Sequence, residues 1–187
     1  MNLQNHFLIA MPNLNHPFFK KSVIYIWKHN KDGAMGIMIN KPIANLTIKT
    51  ILNKLKIQIP FKNLPNHLNK SVIIGGPISE NRGVILHSLK EKFVSSILIS
   101  NNIFITSSQD VLEYVANCQN IDNILMILGH CVWKNNQLEK EILNNIWLTS
   151  LANTNILFHT PLSERWMKSV RNIGIDINRL TTNFGHA

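Results

Sequence analysis

The chain has 187 residues, 45% hydrophobic and 16% charged, with a formal net charge of +9. These values suit one globular domain over residues 1–187 and exclude disorder, and no apolar run approaches the ~18 residues of a membrane span. The charge is a poor pointer to nucleic acid, because the 15 Lys accompany 27 Ile and 26 Asn, residues with AT-rich codons, and are scattered without aromatic interleaving.

Near the N-terminus, Phe7–Met11 is short and wholly apolar and is stopped by Pro12, as expected of a strand covered on both faces. It lacks the charged start and the longer apolar centre of a secretory signal. Ser22–Lys28 and Ala34–Asn40 are β-rich and flank His29-Asn-Lys-Asp-Gly33, whose Asp-Gly pair favours a hairpin turn. Thr47–Lys56 places Ile48, Ile51, Leu52 and Leu55 at helical spacing, and Ile57–Lys70, with two prolines, reads as irregular. Ser71–Ile74 and Gly83–His87 read as strands separated by Gly75-Gly76-Pro77, and Ile97–Ile99 and Ile103–Thr106 as a pair turning at Asn101-Asn102. Ser107-x-x-Asp110 predicts a helix start.

The apolar strand Asn123–Leu128 is expected to end at Gly129. A helix is expected over Asn136–Trp147, with Leu138, Ile142, Leu143 and Ile146 inward and Glu139, Lys140 and Glu141 outward. Ile156–Phe158 reads as a strand, and Thr160-Pro161 as the cap and first residue of a helix reaching Gly174. The last dozen residues are expected to be loosely ordered. Strands dominate the first part and alternate with helices later, which predicts an α+β fold with a mixed or antiparallel sheet.

No constellation rises to a mechanism. Gly75-Gly76-Pro77 lacks the Lys-Ser/Thr of a phosphate loop, and Pro77 has no amide donor, so a tight turn is the better reading. His130 and Cys131 adjoin on a strand and point to opposite faces, so they do not form a base–nucleophile pair. Cys118 and Cys131 have no metal or redox spacing and predict free thiols in a reducing cytoplasm. The eight histidines lack metal-ligand spacing, and His29 and His87 are expected to be structural hydrogen bonders. Glu139 and Glu141 lie too far apart around a helix to act together. Trp133, Trp147 and Trp166 could line a pocket, but core packing is their default.

Taken together, these stretches resemble the YqgE/AlgH family. The resemblance is carried by Phe7-Leu-Ile-Ala-Met-Pro12, Ser22-Val-Ile-Tyr-Ile26, His29-Asn30, Gly33-Ala-Met-Gly36 and Asn40-Lys-Pro42. It continues through Gly75-Gly-Pro77, Arg82-Gly83, Leu86-His87, Gln137-Leu-Glu139, Trp147-Leu148, Arg165-Trp166 and Gly185-His-Ala187. It implies a bent sheet curling towards a barrel with helices packed outside, and it brings no reaction with it. Some members are described as transcriptional regulators, but the chain shows no helix-turn-helix pattern. His16-Pro17 replaces the usual Asp-Pro, and Gly129-His-Cys-Val-Trp133 replaces Gly-Tyr-Ala-Gly-Trp, so neither an acid there nor the His–Cys pair is a shared catalytic feature.

The family-like residues shape backbone rather than perform chemistry. They predict a non-enzymatic binding or regulatory protein of the cytoplasm with a groove lined by Asn30, Gly33, Gly36, Asn40, Lys41, Gly75, Gly76, Pro77, Arg82, Trp133, Gln137 and Glu139. The expectation includes no catalytic residue, no metal and no cofactor, and a protein or small-molecule partner rather than specific nucleic acid or membrane. The alternative is an enzyme or nucleotide-binding protein acting on a phosphate-bearing small molecule, held by Gly75-Gly76, Lys41 and Arg82.

Overall fold

Short, near-continuous apolar runs in the first forty positions make strands, and the computed structural model, which describes residues 2–174, shows where they pair. The strands are β1 (His6–Ala10), β2 (Val23–Asn30), β3 (Gly33–Met38), β4 (Pro42–Thr47), β5 (Ser71–Ile74), β6 (Ile78–His87), β7 (Ile97–Ser100), β8 (Ile103–Thr106), β9 (Ile124–Lys134) and β10 (Trp147–Leu151). The helices are α1 (Ile48–Lys54), α2 (Gln109–Asn117), α3 (Gln137–Leu143) and α4 (Arg165–Asn172). A 3-10 turn covers Asn66–Asn69 and a π-helical turn Asn155–His159. The expected loose C-terminus, with Gly185-His-Ala187, lies outside the described residues.

The strands run in the order β10-β1-β2-β3-β9-β6-β8-β7, with β5 pairing β9 and β4 pairing β5 to one side. Every pairing is antiparallel except β5 with β9. Twist accumulates across such a sheet and curls it. Here the curl brings Gln4, next to β1, within reach of β7, where its amide donates to the Ile99 carbonyl at 3.1 Å. This is the α+β half-barrel expected from the sequence.

Both faces of the sheet are buried, and strand alternation sorts the side chains between them. Phe7, Ile9, Val23, Tyr25, Leu86 and Ile127 point into the curl, where Phe158 of the π-helical turn and Trp166 and Val170 of α4 fill it. Leu8, Ile24 and Ile26 point the other way, against Leu138 of α3, Trp133 and Trp147. Further along, Ile85, Ile124 and Met126 are covered by α1 and α2. Each such side chain contributes roughly 1.5–3 kcal/mol of burial.

Several local readings change in three dimensions. β9 does not stop at Gly129 but continues to Lys134, because Gly129 adopts φ +77° and lets the strand change partners. On one side β9 pairs with β5 before Gly129 and with β3 from Cys131 on, while on the other it pairs with β6 on both sides of Gly129, up to His130. The helix after Asn136 ends at Leu143, which is 80% exposed rather than inward, and Trp147 opens β10 beside β1. Ile156–Phe158 is helical, because its residues plug the curl instead of adding to an edge. α4 begins at Arg165, not at Pro161, since the Thr160 hydroxyl donates back to the Asn155 carbonyl. Ser108, not Ser107, takes the N-cap position of α2, but its hydroxyl donates to the Asp110 carboxylate instead of capping the helix, and Ser107 bonds Ser95 across the loop. Gly174 ends α4 at φ +73°, as expected.

Candidate functional site

Gly75 and Gly76 lie directly on β9. The Gly75 amide donates to the Leu128 carbonyl and its own carbonyl accepts from the Met38 amide, both at 2.7 Å. A Cβ on Gly75 would sit 2.2 Å from the Gly129 carbonyl oxygen, and one on Gly76 2.2 Å from that of His130. The pair passes along β9 instead of making the expected tight turn, and these glycines allow two backbones to touch. The Gly75 amide is engaged with Leu128, so the pair does not form an anion-cradling nest. A hollow opens on each side of this crossing.

The first hollow, about 460 Å³, is lined by Trp27, Met35, Ser79, Arg82, Gly129 and His130, among others. Its walls are built from irregular backbone. The register of β2 against β3 shifts between Ile26 and Lys28, leaving Trp27 as the extra residue of a bulge. The pairing of β6 with β9 jumps between Ile78 and Gly83, and within that gap Ser79 has φ +52°. Left-handed backbone at a non-glycine residue and strand bulges concentrate where a fold re-aims side chains for a ligand. The Trp27 indole N–H is buried without a hydrogen-bond partner. Arg82 brings a guanidinium, Ser79 and Ser107 bring hydroxyls, and among the described residues no carboxylate lines the space. Burial and, after it, the Arg82 charge push His130 below the usual histidine range, so it stays neutral at pH 7.

The second hollow, about 320 Å³, is lined by Phe19, Pro77, Trp133, Gln137, Glu141 and Trp147, among others. One oxygen of Glu141 accepts from the indole N–H groups of both Trp133 and Trp147 at 2.8 Å, and the other from the Gln137 amide at 2.9 Å. Glu141 therefore turns onto the tryptophans instead of facing outward. Burial, then the Glu141 charge, pushes the Cys131 thiol up to about 12, which leaves it protonated and inert at neutral pH. A third hollow, about 480 Å³ and largely apolar, lies between α1 and α2, and Lys54 is the one charged residue among the described residues that line it.

The predicted groove residues are distributed around these features. Arg82 lines the first hollow, and Pro77, Trp133 and Gln137 line the second. Asn30 accepts from the Asp32 amide in the hairpin turn, and Gly33 and Gly36 make room for the Trp133 carbonyl and the Ile24 side chain. Asn40 bridges the Val23 amide and the Lys21 carbonyl at 2.8 and 2.9 Å. Lys41 donates to the Phe18 carbonyl, and burial lowers its pKa. Glu139 pairs with His29 at 2.8 Å. Trp27, Ser79 and Glu141 were not singled out by sequence reasoning, since a bulge has no local signature and Glu141 reads as solvent-facing by helical spacing.

His130 lines the first hollow and Cys131 the second, on opposite sides of β9 as expected. Cys118 and Cys131 are free thiols. Among the described residues no cluster of three or more His, Cys, Asp or Glu could hold a metal, and no helix is long and apolar enough to cross a membrane.

Fold and site thus define a curled-sheet α+β protein with two hollows flanking a glycine crossing. The chain belongs to the AlgH-like family, whose model matches residues 7–178. It is 54% identical over 187 residues to a UPF0301 protein of Erwinia tasmaniensis, covering 100% of both chains. It is 58% identical to one from Buchnera aphidicola subsp. Baizongia pistaciae, covering 100% of this chain and 99% of that one. The solution structure of the AlgH protein from Pseudomonas aeruginosa matches with a TM-score of 0.76 at 35% identity, covering 100% of this chain and 97% of that chain. A crystal structure from Corynebacterium diphtheriae shares the fold at a TM-score of 0.72 and 17% identity, covering 96% and 92%.

Proposed function

We propose that this is a binding protein that holds an anionic small molecule in the first hollow and performs no chemistry on it. The observation carrying the reading is the buried, unpartnered indole N–H of Trp27 in the wall that also carries Arg82. A buried donor without an acceptor costs about 1–3 kcal/mol, and an anion would remove that cost while pairing with the guanidinium. Met35 and Val84 supply an apolar wall for the ligand body. Two properties favour binding over turnover: His130 is held apart from Cys131, and the thiol is protonated at neutral pH.

A phosphate-bearing ligand is the second form of the same reading, since a guanidinium takes phosphate as well as carboxylate. Thermal shift and calorimetry with phenyl phosphate, benzoate and neutral benzamide test both. Stabilisation by either anion, lost in Arg82→Gln, is expected, and a tenfold excess over Kd adds roughly 1.4 kcal/mol. No stabilisation by either anion at millimolar concentration sinks the reading. Multiple turnover of the phosphate ester, abolished by changing one residue of this hollow, would replace binding by catalysis.

A further inference from the structure

Glu141 stands out in the second hollow because its carboxylate has donors but no counter-ion. Its hydrogen bonds come from two indoles and one amide, all neutral. Among the described residues the only basic side chain within 4.0 Å of a carboxylate is His29, hydrogen-bonded to Glu139, so Glu141 has no described cationic side chain within that distance. Trp133 and Trp147 are 5% and 4% exposed, and their rings stand at 85° with centroids 6.5 Å apart. The Phe19 ring packs edge-on against Trp147 at 5.8 Å, closing the aromatic wall. The Glu141 carboxylate is therefore held in the lining of an aromatic hollow of about 320 Å³ without a described counter-ion.

Three features of that arrangement select one ligand chemistry. Electrostatics in such a site are stronger than in water, so an unpaired carboxylate repels anions and attracts a cation. Aromatic faces attract cations through their quadrupole, an effect that grows with desolvation, and Phe19 lines the hollow beside the two indoles, whose N–H edges turn to Glu141. Finally, the hollow is wide enough for an apolar body, with Leu14, Pro77 and Ile146 in its wall. We propose that this second hollow is a binding site for a small organic cation, an ammonium or guanidinium carried on an apolar body. The site is independent of the anion reading, since it shares no lining residue with the first hollow.

The Trp133 and Trp147 indole N–H resonances provide the readout, because both groups end on Glu141. Titration with benzylamine and with benzylguanidine is expected to move both resonances saturably, and the two arms tell ammonium from guanidinium. Benzyl alcohol, a neutral match in shape, is expected to move neither. Glu141→Gln keeps an oxygen to accept from the indoles but removes the charge, and is expected to weaken the cation by about tenfold or more. Arg82→Gln is expected to leave the cation unaffected. The proposal is overturned by an absence of saturable shifts with either cation at millimolar concentration, by equal binding of benzyl alcohol, or by undiminished affinity in Glu141→Gln. The benzyl alcohol comparison uses the unmodified protein, so it decides the matter even where the variant does not fold. Failure here with success of phenyl phosphate or benzoate leaves the first hollow standing, and the converse leaves the second.

Discussion

His29 and Glu139 are 110 residues apart in the chain and 2.8 Å apart in the structure. The imidazole Nδ1 accepts from the Leu3 amide at 2.9 Å, which fixes Nε2 as the N–H that donates to the carboxylate. One side chain thus ties the segment before β1 and helix α3 to the β2–β3 hairpin. Glu139→Ala leaves a buried N–H without its partner and is expected to lower unfolding free energy by about 1–2 kcal/mol. His29→Ala orphans the Leu3 amide as well and is expected to cost more. Urea denaturation of the two variants checks the order.

The glycines at the crossing make a sharper prediction. Gly76→Ala would place a Cβ 2.2 Å from the His130 carbonyl, where backbone must move, and is expected to cost more than about 3 kcal/mol or prevent folding. At Gly83 the nearest atom to a new Cβ is the tip of Leu128 at 3.3 Å, which can shift, so Gly83→Ala is expected to be mild. Thermal unfolding distinguishes them. Equal effects at both positions would contradict close backbone approach as the reason for glycine.

His87 is fully buried, donates from Nε2 to the Thr106 hydroxyl and accepts the Leu89 amide at Nδ1. Burial, only partly opposed by the Glu91 charge, pushes its pKa down to about 4 from 6.5. Because the folded value lies below the unfolded one, the unfolded chain binds the extra proton first. Stability is complete above pH ~6.5 and is lost as pH falls towards ~4, by up to about 3 kcal/mol. His67 is shifted in the same direction by burial, so His87→Gln is expected to flatten this slope without abolishing it. Denaturation midpoints of parent and variant at pH 7 and pH 5 check the sign.

Trp27→Phe keeps an aromatic ring on the bulge and removes the unpartnered N–H. Without ligand it is expected to be as stable as the parent or slightly more so, because a buried donor lacking an acceptor is a cost in the empty state. Anion affinity is expected to fall several-fold in the same variant. Calorimetry with benzoate beside thermal unfolding measures both, and a destabilised variant that binds normally would show that the N–H contacts no ligand.

Much of the fold is legible along the chain because it rests on local rules. The hairpin within His29–Gly33, the turn at Asn101 and Asn102 with φ +33° and +67°, and the helical spacing that makes α1 all follow from residue chemistry at those positions. Trp147 and Ile156–Phe158 depart from the elements their spacing predicts for a common reason. Their apolar spacing fits more than one element, and the competition is settled by what they pack on: β1 for Trp147 and the inside of the curl for Phe158.

The site divides in the same way. The sequence by itself determined that glycines interrupt the apolar strands at 75–76 and 129, and that His130 and Cys131 point to opposite faces of one strand with Cys131 a buried small residue, since strand alternation is a local property; that Gly75 and Gly76 allow close backbone contact with β9 was not legible in it. Only the tertiary structure decided that Arg82 and Trp133 serve different hollows, that Trp27 carries an unpartnered donor, and that Glu141 gathers two indoles. Those facts depend on a bulge in β2, on the change of partner that β9 makes at Gly129, and on the turn of α3 over β9. Each is set by pairing between segments distant in the chain, where no neighbour in sequence records the outcome.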